Sequence, residues 1–274
     1  MDAIRFDALQ CTKDGLCARI CPLRLIVPPS EDRMPESLPS FSQWCIRCGH
    51  CVAVCPSQAV HHPYMRSEEC PPADYECLPP PDQFEKILRL RRSVRRFKPQ
   101  PLKKEVLARL IRMAGYGPSS HNRQSVEWLV FKDREDLNHM VDLACDWMRH
   151  MLAVEPDAPH SQVFDKIVNE WGAGRDSVLH NAPALLIAHS SIRTGIETID
   201  AAVALSYFDL AAMGFGLGCC WAGLFMMAAR SWKPLGAFLA LPEHHHLHGA
   251  LVTGYPQYRF KRLPLRKQPA IQWR

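Results

Sequence analysis

Seven cysteines crowd into the stretch from Cys11 to Cys55, and their spacing constrains this 274-residue chain more than any other feature. The second group reads Cys45-x2-Cys48-x2-Cys51-x3-Cys55-Pro56. Thiolates are soft ligands; at this spacing three wrap three corners of a [4Fe–4S] cube and the fourth crosses to a second cluster. The first group, Cys11-x5-Cys17-x3-Cys21-Pro22, keeps that spacing except that Asp14 stands where the second cysteine would be. Zinc also suits Cys-x2-Cys pairs, but it does not require two triplets that each close on Cys-Pro. Met1-Asp-Ala-Ile-Arg5 lacks the charged-then-apolar order of a secretory signal. Twelve cysteines without such a signal point to metal ligands or thiols in a reducing compartment rather than disulfides, so the expected location is the cytoplasm.

The two cysteine groups make residues 1–65 resemble a bacterial two-cluster ferredoxin. On that resemblance Cys45, Cys48, Cys51 and Cys21 hold one cluster, and Cys11, Cys17 and Cys55 hold the other. Asp14 leaves two readings open. Its carboxylate, a harder ligand than thiolate, either takes the fourth iron of a four-iron cluster and shifts its potential, which is the favoured reading, or it is no ligand and the cluster is [3Fe–4S]. Cys70, Cys77, Cys145, Cys219 and Cys220 fit no cluster spacing and are read as bystanders, Cys219 and Cys220 as packing residues in an apolar run.

Charge divides the chain as sharply as cysteine does. Residues 1–81 carry ten acidic and seven basic side chains, whereas residues 82–274 carry eighteen and twenty-six. The change falls at Pro71-Pro72 and Pro79-Pro80-Pro81, where fixed φ and missing amide donors oppose helix and central strand. A linker over 66–82 is therefore expected between the cysteine module and a larger domain, 83–274. There, Phe84, Ile87 and Leu88 share a helical face, and Val106, Leu107, Leu110, Ile111 and Ala114 make a second stripe. Residues 128–131, 184–188 and 251–253 read as strands, and 201–213 as a close-packing helix of small residues. This interleaving indicates an α+β sheet domain. Leu210 to Ala229 is twenty residues without a charge, the length of a membrane span. Gly214, Gly216 and Gly218 argue instead for a helix, a turn and a strand, so no membrane partner is expected. Basic runs at 89–104 and 259–274 are broken by apolar residues and prolines. That favours structured turns or a phosphate site drawing on both ends of the domain over a nucleic-acid-binding tail. His244, His245, His246 and His248 read as a crowded solvated loop rather than a metal site.

Four segments then occur in order: Arg91-Arg-Ser-Val-Arg-Arg-Phe97, Gly117-Pro-Ser-Ser-His-Asn-Arg-Gln124, Gly216-Leu-Gly-Cys-Cys-Trp-Ala-Gly223 and Arg259-Phe-Lys-Arg-Leu-Pro264. Together they resemble the FMN-dependent nitroreductase family, and the cysteine module resembles its iron–sulfur branch. The resemblance implies a nitroreductase-type α+β domain with a central, mainly antiparallel sheet flanked by helices. It implies that Arg91 and Arg262, with Arg92 and Lys261 alongside, clamp the FMN phosphate. Ser93 would bond the ribityl chain or phosphate, and Arg95 would lie near N1 and the C2 carbonyl of the ring. Pro118, Ser119, Ser120 and Asn122, with Gln124 less secure, would line the flavin from the partner subunit of a homodimer. Trp221, Ala222 and Gly223 would approach the ring through their backbone. Ser119 and Ser120 alternatively cap a helix, Asn122 is alternatively a turn residue, and Trp221 alternatively core. Residues 146–180, with Trp147, Met148, Phe164 and Trp171, are a candidate lid. No catalytic acid is assigned.

The implied activity is an FMN-dependent oxidoreductase whose clusters feed electrons, from NAD(P)H or reduced ferredoxin, to a flavin that reduces a nitroaromatic, quinone or similar electron-poor small molecule. The alternatives are a ferredoxin-linked dehalogenase or enoate reductase on the same fold, and a non-catalytic electron carrier.

Overall fold

A computed structural model describes residues 3–191 and 194–274, and in it the chain divides into two compact units. One runs to Leu78 and takes in His121–Arg123; the other is Pro79–Ser120 with Gln124–Arg274.

In chain order the first unit holds β1 (Arg5–Phe6), α1 (Leu16–Ile20), β2 (Ile26–Val27), β3 (Glu36–Ser37), α2 (Phe41–Trp44), α3 (His50–Ala53) and β4 (Val60–His61). Strand β1 pairs antiparallel with β4, and β2 with β3. Elements this short bury little on their own. Ile4, Leu25, Ile26, Phe41, Val52 and Val60 form the core, and Cys21, Cys45, Cys51 and Cys55 pack directly against it. So small a core is marginal on its own.

The backbone of this unit repeats itself. Lys13, Gly15 and Arg24 have φ of 58°, 70° and 52°, and thirty-four residues later Arg47, Gly49 and Gln58 have 54°, 73° and 57°. The same offset relates Cys11 to Cys45, Cys17 to Cys51 and Cys21 to Cys55. Gly15 and Gly49 open α1 and α3 in the left-handed region, where the lack of a Cβ removes the steric penalty. Asp14 therefore occupies the backbone position that Cys48 occupies in the second half.

The second unit holds α4 (Pro81–Leu90), α5 (Lys104–Ala114), β5 (Glu127–Phe131), α6 (Arg134–Val154), α7 (Ser161–Gly172), β6 (Ala184–Ser191), α8 (Glu197–Gly214), β7 (Gly218–Trp221), α9 (Gly223–Ser231), α10 (Lys233–Leu239) and β8 (His245–Gly254). Its sheet has the order β5-β6-β8-β7, every neighbouring pair antiparallel. Alternation along the central strand sorts the core into two layers. Leu185 and Ile187 face Leu137, Met140, Phe164 and Phe225, whereas Ala184, Leu186 and Ala188 face Leu107, Leu110, Leu205 and Phe208. Both faces are covered, which is why residues 184–188 read as an unbroken apolar run. Each fully buried Leu or Ile contributes about 1.5–3 kcal/mol.

Several expectations are corrected here. Pro81 does not prevent a helix but opens α4, in the first turn, where its missing N–H costs nothing. His245–His248 form the start of β8 rather than a loop, and His248 is buried, its ring bonded to Ser190 Oγ and Thr198 Oγ1, each at 3.0 Å. Trp147, Met148 and Phe164 are core residues under the sheet, and Trp171 packs beside them, so the proposed lid is part of the scaffold. Residues 210–229 fold as the end of α8, a turn, β7 and part of α9. Among the described residues no helix is long and apolar enough to cross a membrane.

Gly249 lies in β8 where a Cβ would overlap Leu205 and press on Trp221. Gly249→Ala is expected to cost about 1–3 kcal/mol, lowering the thermal midpoint by roughly 3–10 °C, read by calorimetry on the full-length protein.

Candidate functional sites: a cationic cleft and two cysteine cavities

In the second unit, the basic segment after α4 is laced onto the sheet. Val94 N donates to Cys219 O at 2.9 Å, Lys98 N to Tyr255 O at 2.8 Å, and Gln257 N to Arg96 O at 2.9 Å, while Phe97 bridges to Pro256. The lacing requires Gly218, because a Cβ there would overlap Val94. So held, the segment places Arg91, Arg92 and Lys98 in a cleft of about 510 Å3 that Asp209, Gly216, Gly218, Tyr258 and Arg259 also line.

Two features define the charge of that cleft. Arg91 Nη1 lies 3.2 Å from Oδ2 of the buried Asp209 on α8. Burial holds the Asp209 carboxyl above its ordinary range, opposed by the Arg91 guanidinium. Arg92 donates through Nη1 to Arg91 O at 2.8 Å, but its buried Nε has no hydrogen-bond partner among the described residues. An orphaned guanidinium donor beside Lys98 and Arg259 suits an anion.

Ser93 and Arg95 lie beside Cys220, where burial pushes the thiol up and both side chains oppose the shift. Trp221 ends β7 at 38% exposure, Ala222 is buried, and Gly223 starts α9 where an added Cβ would meet no atom within 4 Å. The Gly117–Ser120 stretch packs on α8: Gly117 sits against Val203, and Ser120 N donates to the buried Asp200 carboxylate at 3.0 and 3.2 Å. Ser119 Oγ accepts from Gln124 N at 3.0 Å, a turn rather than a helix cap. Pro118 precedes this turn. Asn122 lies in the first unit, its Nδ2 donating to Arg47 O at 3.0 Å and Ile46 O at 3.3 Å. Lys261 and Arg262 are exposed and do not line the cleft, whereas Arg259 does. Asp209 is thus a cleft residue that sequence reasoning missed, whereas Lys98 and Arg259 were read only as members of the basic runs.

The first unit gathers its cysteines into two cavities. Cys21, Cys45, Cys48 and Cys51 line one, walled by Leu25, Ile26 and Phe41. Cys11, Asp14, Cys17 and Cys55 line the other, with Phe6, Ala59 and Val60. The seven cysteines are brought together in the grouping that the ferredoxin resemblance implies, and Asp14 lines the second cavity with them. Asp14 Oδ1 accepts from Leu16 N and its Oδ2 from Thr12 Oγ1, each at 2.9 Å, and these bonds hold its carboxyl below the ordinary range. An ionised carboxylate is the form a metal takes. Buried His62, which sequence reasoning missed, brings Nε2 to 3.5 Å from Cys45 Sγ. Of the remaining cysteines, Cys145, Cys219 and Cys220 are buried, with the Cys145 thiol pushed up to about 11 by burial, whereas Cys77 is exposed.

Residues 88–255 match the model of the nitroreductase family, and residues 10–60 match that of the 4Fe–4S dicluster domain. The chain belongs to the nitroreductase family. It is an oxidoreductase of that fold with an N-terminal ferredoxin-like domain. Among solved structures, a nitroreductase with bound FMN from Desulfitobacterium hafniense DCB-2 is similar at 20% identity and TM-score 0.57, over 69% of this chain and 96% of that one. A BluB-like flavoprotein from Clostridium difficile 630 is similar at 22% identity and TM-score 0.56, over 68% and 94%. Iodotyrosine deiodinase bound to FMN and 3-iodo-L-tyrosine is similar at 22% identity and TM-score 0.54, over 69% and 98%. In each case the covered share matches the length of the nitroreductase domain, and the likeness is one of fold.

Removing one member of the Arg91–Asp209 pair leaves a buried charge. Arg91→Ala is expected to cost about 3–5 kcal/mol at pH 8. Because the Asp209 pKa is already raised, the deficit shrinks as pH falls and the carboxylate takes up a proton. Denaturant unfolding at pH 8 and pH 5 checks both the size and the sign; an equal deficit at the two pH values contradicts the pairing.

Proposed function

We propose that this chain is an FMN-dependent oxidoreductase in which a two-cluster domain, residues 1–65, is joined through a linker, 66–82, to an FMN-binding domain, 83–274. The clusters pass electrons to FMN, which reduces a nitroaromatic, quinone or similar electron-poor small molecule. The observation that carries this reading is the presence in one chain of a cationic cleft with an orphaned Arg92 Nε and two cavities lined by seven cysteines and Asp14.

The residues fit the groups they would hold. Arg91, Arg92, Lys98 and Arg259 present donors to a phosphate, with Arg262 and Lys261 available on the chain that follows. Arg91 is oriented by Asp209, so one guanidinium edge is already committed and the other is free to turn to an anion. Ser93 and Arg95, set beside β7, would meet the ribityl chain and the ring, where a fixed cation favours the reduced, more negative flavin. The open space at Gly223 and the exposed face of Trp221 leave room for a flat ring. Pro118, Ser119, Ser120 and Asn122 would serve the site of a partner subunit in a homodimer. On the dimer, the exposed apolar residues of α4, Phe84, Leu88 and Leu90, and those of the C-terminal stretch, Phe260, Leu265 and Trp273, are surfaces a second copy would cover. Cys21, Cys45, Cys48 and Cys51 would hold one cluster and Cys11, Asp14, Cys17 and Cys55 the other. NAD(P)H or reduced ferredoxin would donate electrons, in a cytoplasmic setting.

A second reading keeps the site and changes the substrate. The likeness to iodotyrosine deiodinase, whose structure holds an iodinated amino acid, favours reductive dehalogenation as the alternative.

Protein purified anaerobically is expected to contain about one FMN and about eight irons per chain; about seven irons would mark a three-iron cluster at Asp14. Absence of both flavin and iron overturns the proposal. Full NAD(P)H-dependent turnover after serine replacement of Cys17 and Cys48 would remove the clusters from the electron path. A panel of nitroaromatics, quinones and halogenated aromatics under the same conditions separates the two readings.

A further inference from the structure

The end of the sheet in the second unit carries three side chains that packing does not explain. Glu127 and His189 are direct cross-strand partners on β5 and β6. Between Ala188 and His189 the pairing with β8 slips: Ala188 stands opposite Gly249, but His189 opposite Leu247. This bulge leaves one extra residue on β8 and re-aims the side chains before it. Alternation now sets the faces. Glu127 follows Leu129 and Phe131, His189 follows Leu185 and Ile187, and through the bulge His245 follows Leu247, Ala250 and Val252. All of these neighbours belong to one apolar layer. The three polar residues therefore extend a single face of the sheet past the end of its apolar core, while His248, displaced by the bulge, turns to Ser190 and Thr198.

Their ligand atoms converge. His189 Nδ1 lies 3.0 Å from His245 Nδ1, and His245 Nε2 lies 3.9 Å from Glu127 Oε1. One ligand atom from each residue can be chosen so that all lie within 4.8 Å of one another. The geometry points to a divalent transition-metal site built from Glu127, His189 and His245, separate from the cysteine cavities. A first-row ion of the zinc class binds imidazole nitrogen at about 2.0–2.1 Å, which sets adjacent ligand atoms roughly 3 Å apart. The two rings already stand at that separation on paired strands, so the histidine half of the site is pre-formed. The Glu127 side chain is 60% exposed and has the torsional freedom to close the remaining distance without backbone movement. Two imidazoles and one carboxylate suit zinc or ferrous iron and leave at least one position open to water or a small ligand.

The competing account is a lone N–H···N hydrogen bond between the two rings, and metal uptake decides between them. Full-length protein with its clusters and flavin in place, cleared of loose metal by gel filtration, is equilibrated anaerobically with micromolar Zn2+ and counted by mass spectrometry. About one zinc per chain is expected beyond the cluster iron. Affinity should fall at least tenfold in His245→Gln and in Glu127→Gln, both of which alter the outer part of the site and leave buried His189 in place. Iron, sulfide and flavin counts should not change in either variant. X-ray absorption at the zinc edge should show two imidazoles and an oxygen ligand. No zinc uptake, equal uptake by wild type and both variants, or a sulfur-dominated edge spectrum overturns the site.

Discussion

The pairing of the Arg91–Lys98 segment with β7 and with the chain after β8 is the constraint on which the cationic cleft depends. Six basic residues in ten, from Arg89 to Lys98, would normally repel one another and remain solvated. Here the hydrogen bonds from Val94 and Lys98 fix the backbone, and Asp209 neutralises part of the charge from below. Gly218 makes the approach of the two strands possible by having no side chain to obstruct Val94. What results is a set of cations whose positions are set by the sheet rather than by mutual repulsion. Among the described residues Arg92 Nε has no partner, which is costly unless an anion joins it.

In the first unit the corresponding constraint is the thirty-four-residue repeat. It places two cysteine groups in the same backbone frame, so a difference at one position is a difference in chemistry and not in shape. Asp14 and Cys48 are that position. Asp14 brings a hard carboxylate that its local bonds hold below the ordinary range, whereas Cys48 brings a soft sulfur. The two cavities are thus alike in frame and unlike in the chemistry of this one lining residue.

Much of this was legible in the sequence because the signals were local. The cysteine spacings, the stripe at Val106–Ala114, the apolar run at 184–188 and the glycines that end α8 each encode their structure within a few residues. What was not legible required knowing which strands are neighbours. His189 and His245 are fifty-six positions apart, and Glu127 is farther still, so the histidine-rich stretch at 244–248 looked like a solvated loop until the sheet supplied its partners. The same holds for Arg259. It lies in a basic run where Arg262 was the choice by resemblance, and only the fold of the chain past β8 shows which of them lines the cleft. Trp147, Met148 and Phe164 misled in the opposite direction: their position in the chain suggested a lid, but α6 and α7 bury them.

The central claim is that the arginine-lined cleft seats the phosphate of a flavin nucleotide. Comparing FMN with riboflavin, which lacks that phosphate, isolates the contribution. Fluorescence titration of flavin-depleted, cluster-containing protein should show FMN binding roughly a hundredfold tighter than riboflavin, as two or so charge-assisted hydrogen bonds would give. In Arg92→Ala that preference should fall below about tenfold while riboflavin affinity stays the same. A wild-type protein that does not distinguish the two flavins, or a preference untouched by Arg92→Ala, would contradict the account.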